Sequence, residues 1–249
     1  MKIAFMYSGY IRNLKEFADQ HKEIIDDLNA DVFGSFWSST DSEEEHDNIE
    51  YFRKKFDPVA IEVDDIESLK ESVCFDDVKG DIKLDISSFR EDWVSRFANF
   101  TSFFMWYKVW RVNALRCEYK EKYDIVVRIR TDLDFKRGFN PEKNDFINIP
   151  SGFVFINPDI FGPHDILAYG KPSLMNYYCS LFQSIHHYIK TNEFVLQPEN
   201  LLRVHLSQKD FVVRMWEDEI GIGLNRGSNV DTGFNYFLHG TTSWKRPAK

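Results

Sequence analysis

The segment Tyr123–Phe135, YDIVVRIRTDLDF, constrains the fold more than any other stretch of the chain. Ile125 to Ile129 carry β-branched side chains toward both faces of a strand. A strand of that kind belongs in the middle of a sheet covered on both sides, as parallel sheets are. The chain then turns at Asp132 to Asp134. Parallel strands need crossover connections, and the sequence upstream supplies them. Lys2 to Tyr7 reads as a buried strand that Ser8-Gly9 ends. Asn13 is placed to cap a helix over Lys15 to Leu28, with Phe17, Ile24, Ile25 and Leu28 at helical spacing. Asp31 to Trp37 and residues 59–63 read as further strands. A long helix is expected from about Arg96 to Lys122, with Phe100, Phe103, Phe104, Tyr107, Trp110, Ala114 and Leu115 on one wide face.

Downstream, strands are expected at Gly152–Ile156, Ile166–Tyr169 and 211–216. Pro172 opens a helix to about Lys190 and Pro198 opens another, since proline suits a first turn. Residues 41–50 read as solvated loop or helix start, 64–92 give no clear pattern, and the tail from Asn225 reads as loop. Strand and helix alternate, so the fold class is α/β, with a mostly parallel sheet flanked by helices. The 249 residues suit one large domain or two small ones. No linker, repeat or composition break divides them, so a single domain is expected.

Composition removes several function classes. The chain has 31 Lys+Arg against 40 Asp+Glu, a net charge of -9. A nucleic-acid binder needs a basic face, so none is expected as a partner. Cys74, Cys117 and Cys179 are scattered and odd in number. That excludes a disulfide framework or a cysteine zinc module and fits a reducing, cytoplasmic setting. No stretch approaches the roughly 18 apolar residues of a membrane span, and the N-terminus lacks a leader pattern.

The candidate chemistry sits at Asp132-Leu133-Asp134. Ligands of open α/β sheets bind beyond the carboxyl ends of the strands. Two carboxylates there can hold Mg²⁺ or Mn²⁺ and leave positions for phosphate oxygens. The alternative is a solvated turn. Arg128 and Arg130 lie on one face of the preceding strand, where one of them holds a phosphate, orients Asp132 or Asp134, or forms a structural ion pair. Gly9 and Arg12 form a turn able to approach a nucleotide, without the glycine spacing of ATP or NAD sites. Lys108 either meets a phosphate or is solvated on its helix. His186-His187 is expected at the surface, and the aromatic run at 97–110 suits a buried helix face rather than a membrane surface.

These residues resemble a family. YDIVVRIRTDLDF is similar to the D-x-D strand of small GT-A glycosyltransferases of bacterial polysaccharide clusters and large DNA viruses. Ser8-Gly9-Tyr10-Ile11-Arg12-Asn13 resembles their S-G-x-x-R turn. Met105-Trp106-Tyr107-Lys108 with Asn113-Ala114-Leu115, then His164-Asp165 through Gly170, then Pro198-Glu199 through Leu202, resemble further blocks in the same order. The resemblance implies a GT-A domain over 1–249, with a nucleotide-sugar half at 1–135 and an acceptor half at 136–249. It implies an NDP-sugar donor, a UDP-sugar first among them, with Mn²⁺ or Mg²⁺ on Asp132 and Asp134. The acceptor is a glycan or lipid-linked saccharide, which allows a peripheral position at a membrane. Gly9, Arg12, Lys108, Arg128, Arg130 and Asp132 would then face the donor.

The ending from Phe237 to Pro247 is similar to the H-x-x-G-x-x-K-P-W ending of retaining GT-A enzymes in the glycogenin and galactosyltransferase group. Here His and Gly are adjacent and Trp precedes Lys. This likeness implies His239 as a metal ligand, with Gly240 and Lys245 on the nucleotide. An inverting enzyme instead needs a base for the acceptor hydroxyl, and Asp165 is the first candidate, Glu199 the second. The two clues imply different stereochemistries. Two rival readings are a sugar-nucleotide pyrophosphorylase, for which SGYIRN is too poor in glycine, and a non-catalytic carbohydrate- or nucleotide-binding protein on the same scaffold.

Overall fold

A computed structural model describes residues 1–38, 43–66, 68–69, 101–135, 139–153, 161–191, 198–210, 212–216, 222–224 and 241–244. The elements of the first half are β1 (Ile3–Gly9), α1 (Leu14–Asp27), β2 (Asp31–Ser38), α2 (Glu43–Phe56), β3 (Ala60–Asp65), α3 (Thr101–Glu118) and β4 (Ile125–Ile129). Then come β5 (Leu133–Phe135), β6 (Ile147–Phe153), β7 (Phe161–Pro163) and β8 (Leu167–Gly170). The chain continues with α4 (Pro172–Cys179), α5 (Leu181–Thr191), α6 (Pro198–Ser207), β9 (Val213–Trp216), β10 (Ile222–Leu224) and β11 (Thr241–Trp244).

The main sheet has the order β11-β9-β6-β8-β4-β1-β2-β3, with β7 paired to β6. β1, β2, β3 and β4 are parallel neighbours. β8 runs against both β4 and β6, and β9 runs parallel to β6. The sheet is therefore mostly parallel in strand direction, with β7, β8 and β11 reversed. A separate two-stranded ribbon joins β5 to β10.

Side-chain alternation divides the core into two layers. On β1, Ile3, Phe5 and Tyr7 pack with Leu14, Ala18 and Ile25 of α1 and Phe52 and Phe56 of α2. Ala4 and Met6 point the other way, toward Trp106, Val109 and Val112 of α3, Tyr178 of α4 and Ile185 of α5. Both faces of β4 are covered, as its sequence requires.

Several elements depart from the sequence expectation. Asn13 makes no side-chain cap; it sits in the left-handed region at φ 48. The acidic run at 41–50 is the helix start of its two expected alternatives, with 43–50 opening α2 and 41–42 outside the described residues. The helix expected to run from Pro172 to Lys190 is two, broken at Ser180. The strand expected at Gly152–Ile156 is β6, which starts at Ile147; residues 154–156 lie outside the described ones. Thr241–Trp244, expected as loop, is a strand against β9.

The long helix is described from Thr101, residues 96–100 lying outside the described ones, and its deepest side chains include Trp106, Val109 and Val112. Tyr107 and Trp110 are half-buried against Phe182 of α5, at ring separations of 5.2 and 5.6 Å. The helix is covered by the sheet on one side and by α5 on another, so its apolar residues do not fall on one stripe. His186 and His187 are exposed. Among the described residues no helix is long and apolar enough to cross a membrane.

Candidate functional site

Because β1 to β4 are parallel, their carboxyl ends share one edge. β1 ends there at Gly9, whose φ of 102 is open to glycine and strained for other residues. Thr131, just past the end of β4, fastens the turn that follows. Its Oγ1 accepts the Arg12 N–H at 3.2 Å and lies 3.2 Å from the Arg12 carbonyl. The Arg12 guanidinium sits over the Tyr10 ring, 5.4 Å from its centre. The two sequence motifs, SGYIRN and RTDLD, are thus in direct contact.

Arg130 grips Asp132 with both prongs of its fork: Nε donates to Oδ1 at 2.8 Å and Nη2 to Oδ2 at 2.6 Å. Asp132 is almost wholly buried, so this pair is little screened by water. Asp134 is half-buried on β5 and accepts from Gln20 Nε2 at 3.3 Å. Gln20 also clamps the backbone of Phe135, whose N–H donates to its Oε1 at 2.7 Å. Next to it, His21 donates from Nε2 to the Leu133 carbonyl at 2.7 Å and accepts the Tyr7 hydroxyl at Nδ1, 3.2 Å away. A carbonyl only accepts, so the proton is on Nε2 and the ring is neutral. Burial pushes its pKa down to about 4. α1 therefore sets where the Asp134 strand lies.

β8 brings in the other half of the site. It pairs antiparallel with β4, with Leu167 opposite Ile129, and the Arg130 N–H donates to the Ile166 carbonyl at 3.2 Å. The residues that enter β8, His164 and Asp165, therefore arrive at the edge where β1 and β4 end. The His164 N–H is tied to the Pro150 carbonyl at 3.0 Å. Glu199 comes from the first turn of α6, behind Pro198. His164 Nδ1 and one carboxylate oxygen each of Asp165 and Glu199 lie within 4.8 Å of one another. His164 Nδ1 is 3.4 Å from Asp165 Oδ1, within ion-pair distance, and among the described residues it is buried without a hydrogen-bond partner.

The two acids titrate in opposite directions. Burial, then the charge of Asp165, raises the Glu199 carboxyl to about 7. Burial also works to raise Asp165, but His164, Arg130 and Arg128 outweigh it and hold that carboxyl well below the usual range. Asp165 is therefore the weaker base of the two. Arg128 lies beneath the cluster, fully buried, level with Met6 on β1 and Ala168 on β8. Among the described residues its three guanidinium nitrogens have no hydrogen-bond partner. It makes no hydrogen bond to Asp132 or Asp134.

Lys108 is not solvated; it is held at the carboxyl ends of β2 and β3. Its side chain is buried over the Trp37 ring, 4.2 Å from the centre, and donates to Asp64 Oδ2 at 2.6 Å. His239, Gly240 and Lys245 lie outside the described residues. Both oxygens of Asp132 accept from Arg130, and Asp134 accepts from Gln20. Sequence reasoning missed Gln20, His21, Thr131 and, as a site residue, His164. The signal for His164 was its place beside Asp165 immediately before an apolar strand.

The fold is α/β, and the candidate site lies where β1, β4 and β8 meet. No protein-family model matches the chain, and no curated protein matches it. Solved structures do match. One, described as a transferase, aligns over 90% of this chain and 92% of its own, at 9% identity and a TM-score of 0.45. A likeness that distant carries no functional argument, so the function rests on the residues at the edge.

Proposed function

We propose that the chain is a glycosyltransferase. It takes a sugar from a nucleoside-diphosphate donor, a UDP-sugar first among the candidates, and passes it to a hydroxyl of a glycan or lipid-linked saccharide. One observation carries this reading: Thr131 fastens the Ser8–Asn13 turn against the Arg130–Asp132 pair, and the entrance of β8 and the first turn of α6 bring Asp165 and Glu199 to the same edge. Gly9 keeps side-chain bulk away from the end of β1, and Arg12 supplies positive charge for a diphosphate. Asp165 and Glu199 face the acceptor, where negative charge suits a hydroxyl that must lose its proton. Rate enhancement then comes from holding donor and acceptor together and from meeting charge on the leaving diphosphate.

The test is a thermal-shift screen of UDP, GDP, CDP and dTDP, each in EDTA and in Mn²⁺. One nucleotide should raise the melting temperature of the wild-type chain, and Arg12→Ala should remove most of that shift. Binding at 100 times the dissociation constant stabilises by about 2.7 kcal/mol, which a melt resolves easily. No shift with any of the four, in either condition, overturns the proposal.

A further inference from the structure

We propose that His164, Asp165 and Glu199 form a seat for one divalent transition-metal cation, apart from Asp132 and Asp134. The three ligand atoms already lie within 4.8 Å of one another. Ligands on a metal at about 2.1 Å sit about 3–4 Å apart, so the cluster closes on an ion with small side-chain adjustments. The nitrogen is of the right kind. His164 Nδ1 is buried, has no hydrogen-bond partner among the described residues, and lies 3.4 Å from Asp165 Oδ1. One imidazole with two carboxylates is a donor set for Mn²⁺, Co²⁺ or Zn²⁺ more than for Mg²⁺, which prefers oxygen alone.

The surrounding charge favours the ion. Two buried carboxylates brought together need positive charge between them. Arg130 is committed to Asp132. Arg128 is fully buried and makes no hydrogen bond among the described residues. With Glu199 ionised, the two arginines and three carboxylates leave one net negative charge. A dication reverses that to one positive charge, which suits an anionic oxygen in an open coordination position. The backbone is also fixed in advance: His164 hangs from the Pro150 carbonyl, and Glu199 stands in the first turn of α6. The ion would therefore tie the entrance of β8 to α6.

The test uses the full chain, cleared of metal by EDTA, and Mn²⁺ alone as the probe, followed by water-proton relaxation. One Mn²⁺ should bind per chain. Glu199→Gln and His164→Gln should each weaken binding at least tenfold, while Asp134→Asn should leave it unchanged. Melting in EDTA checks that each variant is folded. Co²⁺ substitution gives a second readout, a visible spectrum that changes in His164→Gln. Absence of saturable Mn²⁺ binding overturns the proposal, as does loss in Asp134→Asn with Glu199→Gln unaffected. Neither result touches the nucleotide screen, which can succeed in EDTA, so the two proposals fail separately.

Discussion

Acid should loosen this protein through two buried histidines, and His21 gives the sharper test because it fixes the Asp134 strand. Its ring is neutral, with Nε2 on the Leu133 carbonyl and Nδ1 receiving the Tyr7 hydroxyl. A charged ring would have to donate from both nitrogens inside an apolar layer. Burial holds the pKa at about 4, against 6.5 for a free histidine. The sign follows from proton counting. Between pH 6.5 and 4 the unfolded chain binds the proton and the folded chain does not. Stability is therefore full above 6.5 and declines as pH falls toward 4. Two and a half pH units at 1.36 kcal/mol each give about 3 kcal/mol for this one residue. His205 repeats the pattern: burial lowers it to about 4, with its ring on the Tyr177 carbonyl and the Tyr188 hydroxyl. Together they approach the whole stability of an ordinary domain, about 5–15 kcal/mol.

The assay is urea unfolding, followed by tryptophan fluorescence, at half-unit steps from pH 7 to 4.5. The free energy should fall by about 1.4 kcal/mol per pH unit for each histidine over the middle of that range. His21→Phe should lose absolute stability at pH 7, yet its slope should be shallower than wild type by one histidine's share. An unchanged slope in His21→Phe refutes the reasoning, whatever the variant's absolute stability.

Two further perturbations separate structural from functional charge. Arg130→Met strands a buried carboxylate and should cost about 3–5 kcal/mol in urea unfolding at pH 7, with most of it recovered in the Arg130→Met/Asp132→Leu double variant; a loss below 1 kcal/mol would show the pair to be solvent-relaxed. Lys108→Met removes a buried cation whose partner Asp64 still reaches water, so it should cost under about 2 kcal/mol and leave the nucleotide-induced thermal shift intact. Loss of that shift would return Lys108 to the donor site.

The centre of the fold was legible because its signals are local. β4 declares itself by β-branched residues on both faces, and β1 by an apolar run ended at Ser8-Gly9. The position of Asp132 and Asp134 past β4 followed from the same run. What they do there did not follow. Spacing places Arg128 and Arg130 on one face but cannot say that Arg130 folds back on Asp132 while Arg128 runs inward without a hydrogen-bond partner among the described residues. Asn13 matched a cap by residue type, yet the turn is held by Thr131, 118 residues away in sequence, which no local pattern reports. β5, β7 and β10 are three residues each, too short to show a period, and β5 finds its partner only at Ile222–Leu224. The two halves of the candidate site share no sequence pattern. They meet because of strand order.

That strand order makes the site depend on one reversal. If β8 ran parallel to β4, its entrance would lie at the opposite edge of the sheet, and His164 and Asp165 would be about a strand's length from Asp132. Running antiparallel, β8 pairs Leu167 with Ile129, and continuing the register two steps sets Asp165 level with Thr131. Thr131 is the residue that holds the Arg12 turn, so one rung of the sheet carries the contact between both halves. The register is fixed from within: Ala168 and Leu167 are fully buried on opposite faces, so a one-residue slip would exchange them and move Asp165 off the edge. The candidate site at this edge is thus positioned by the register of buried apolar side chains.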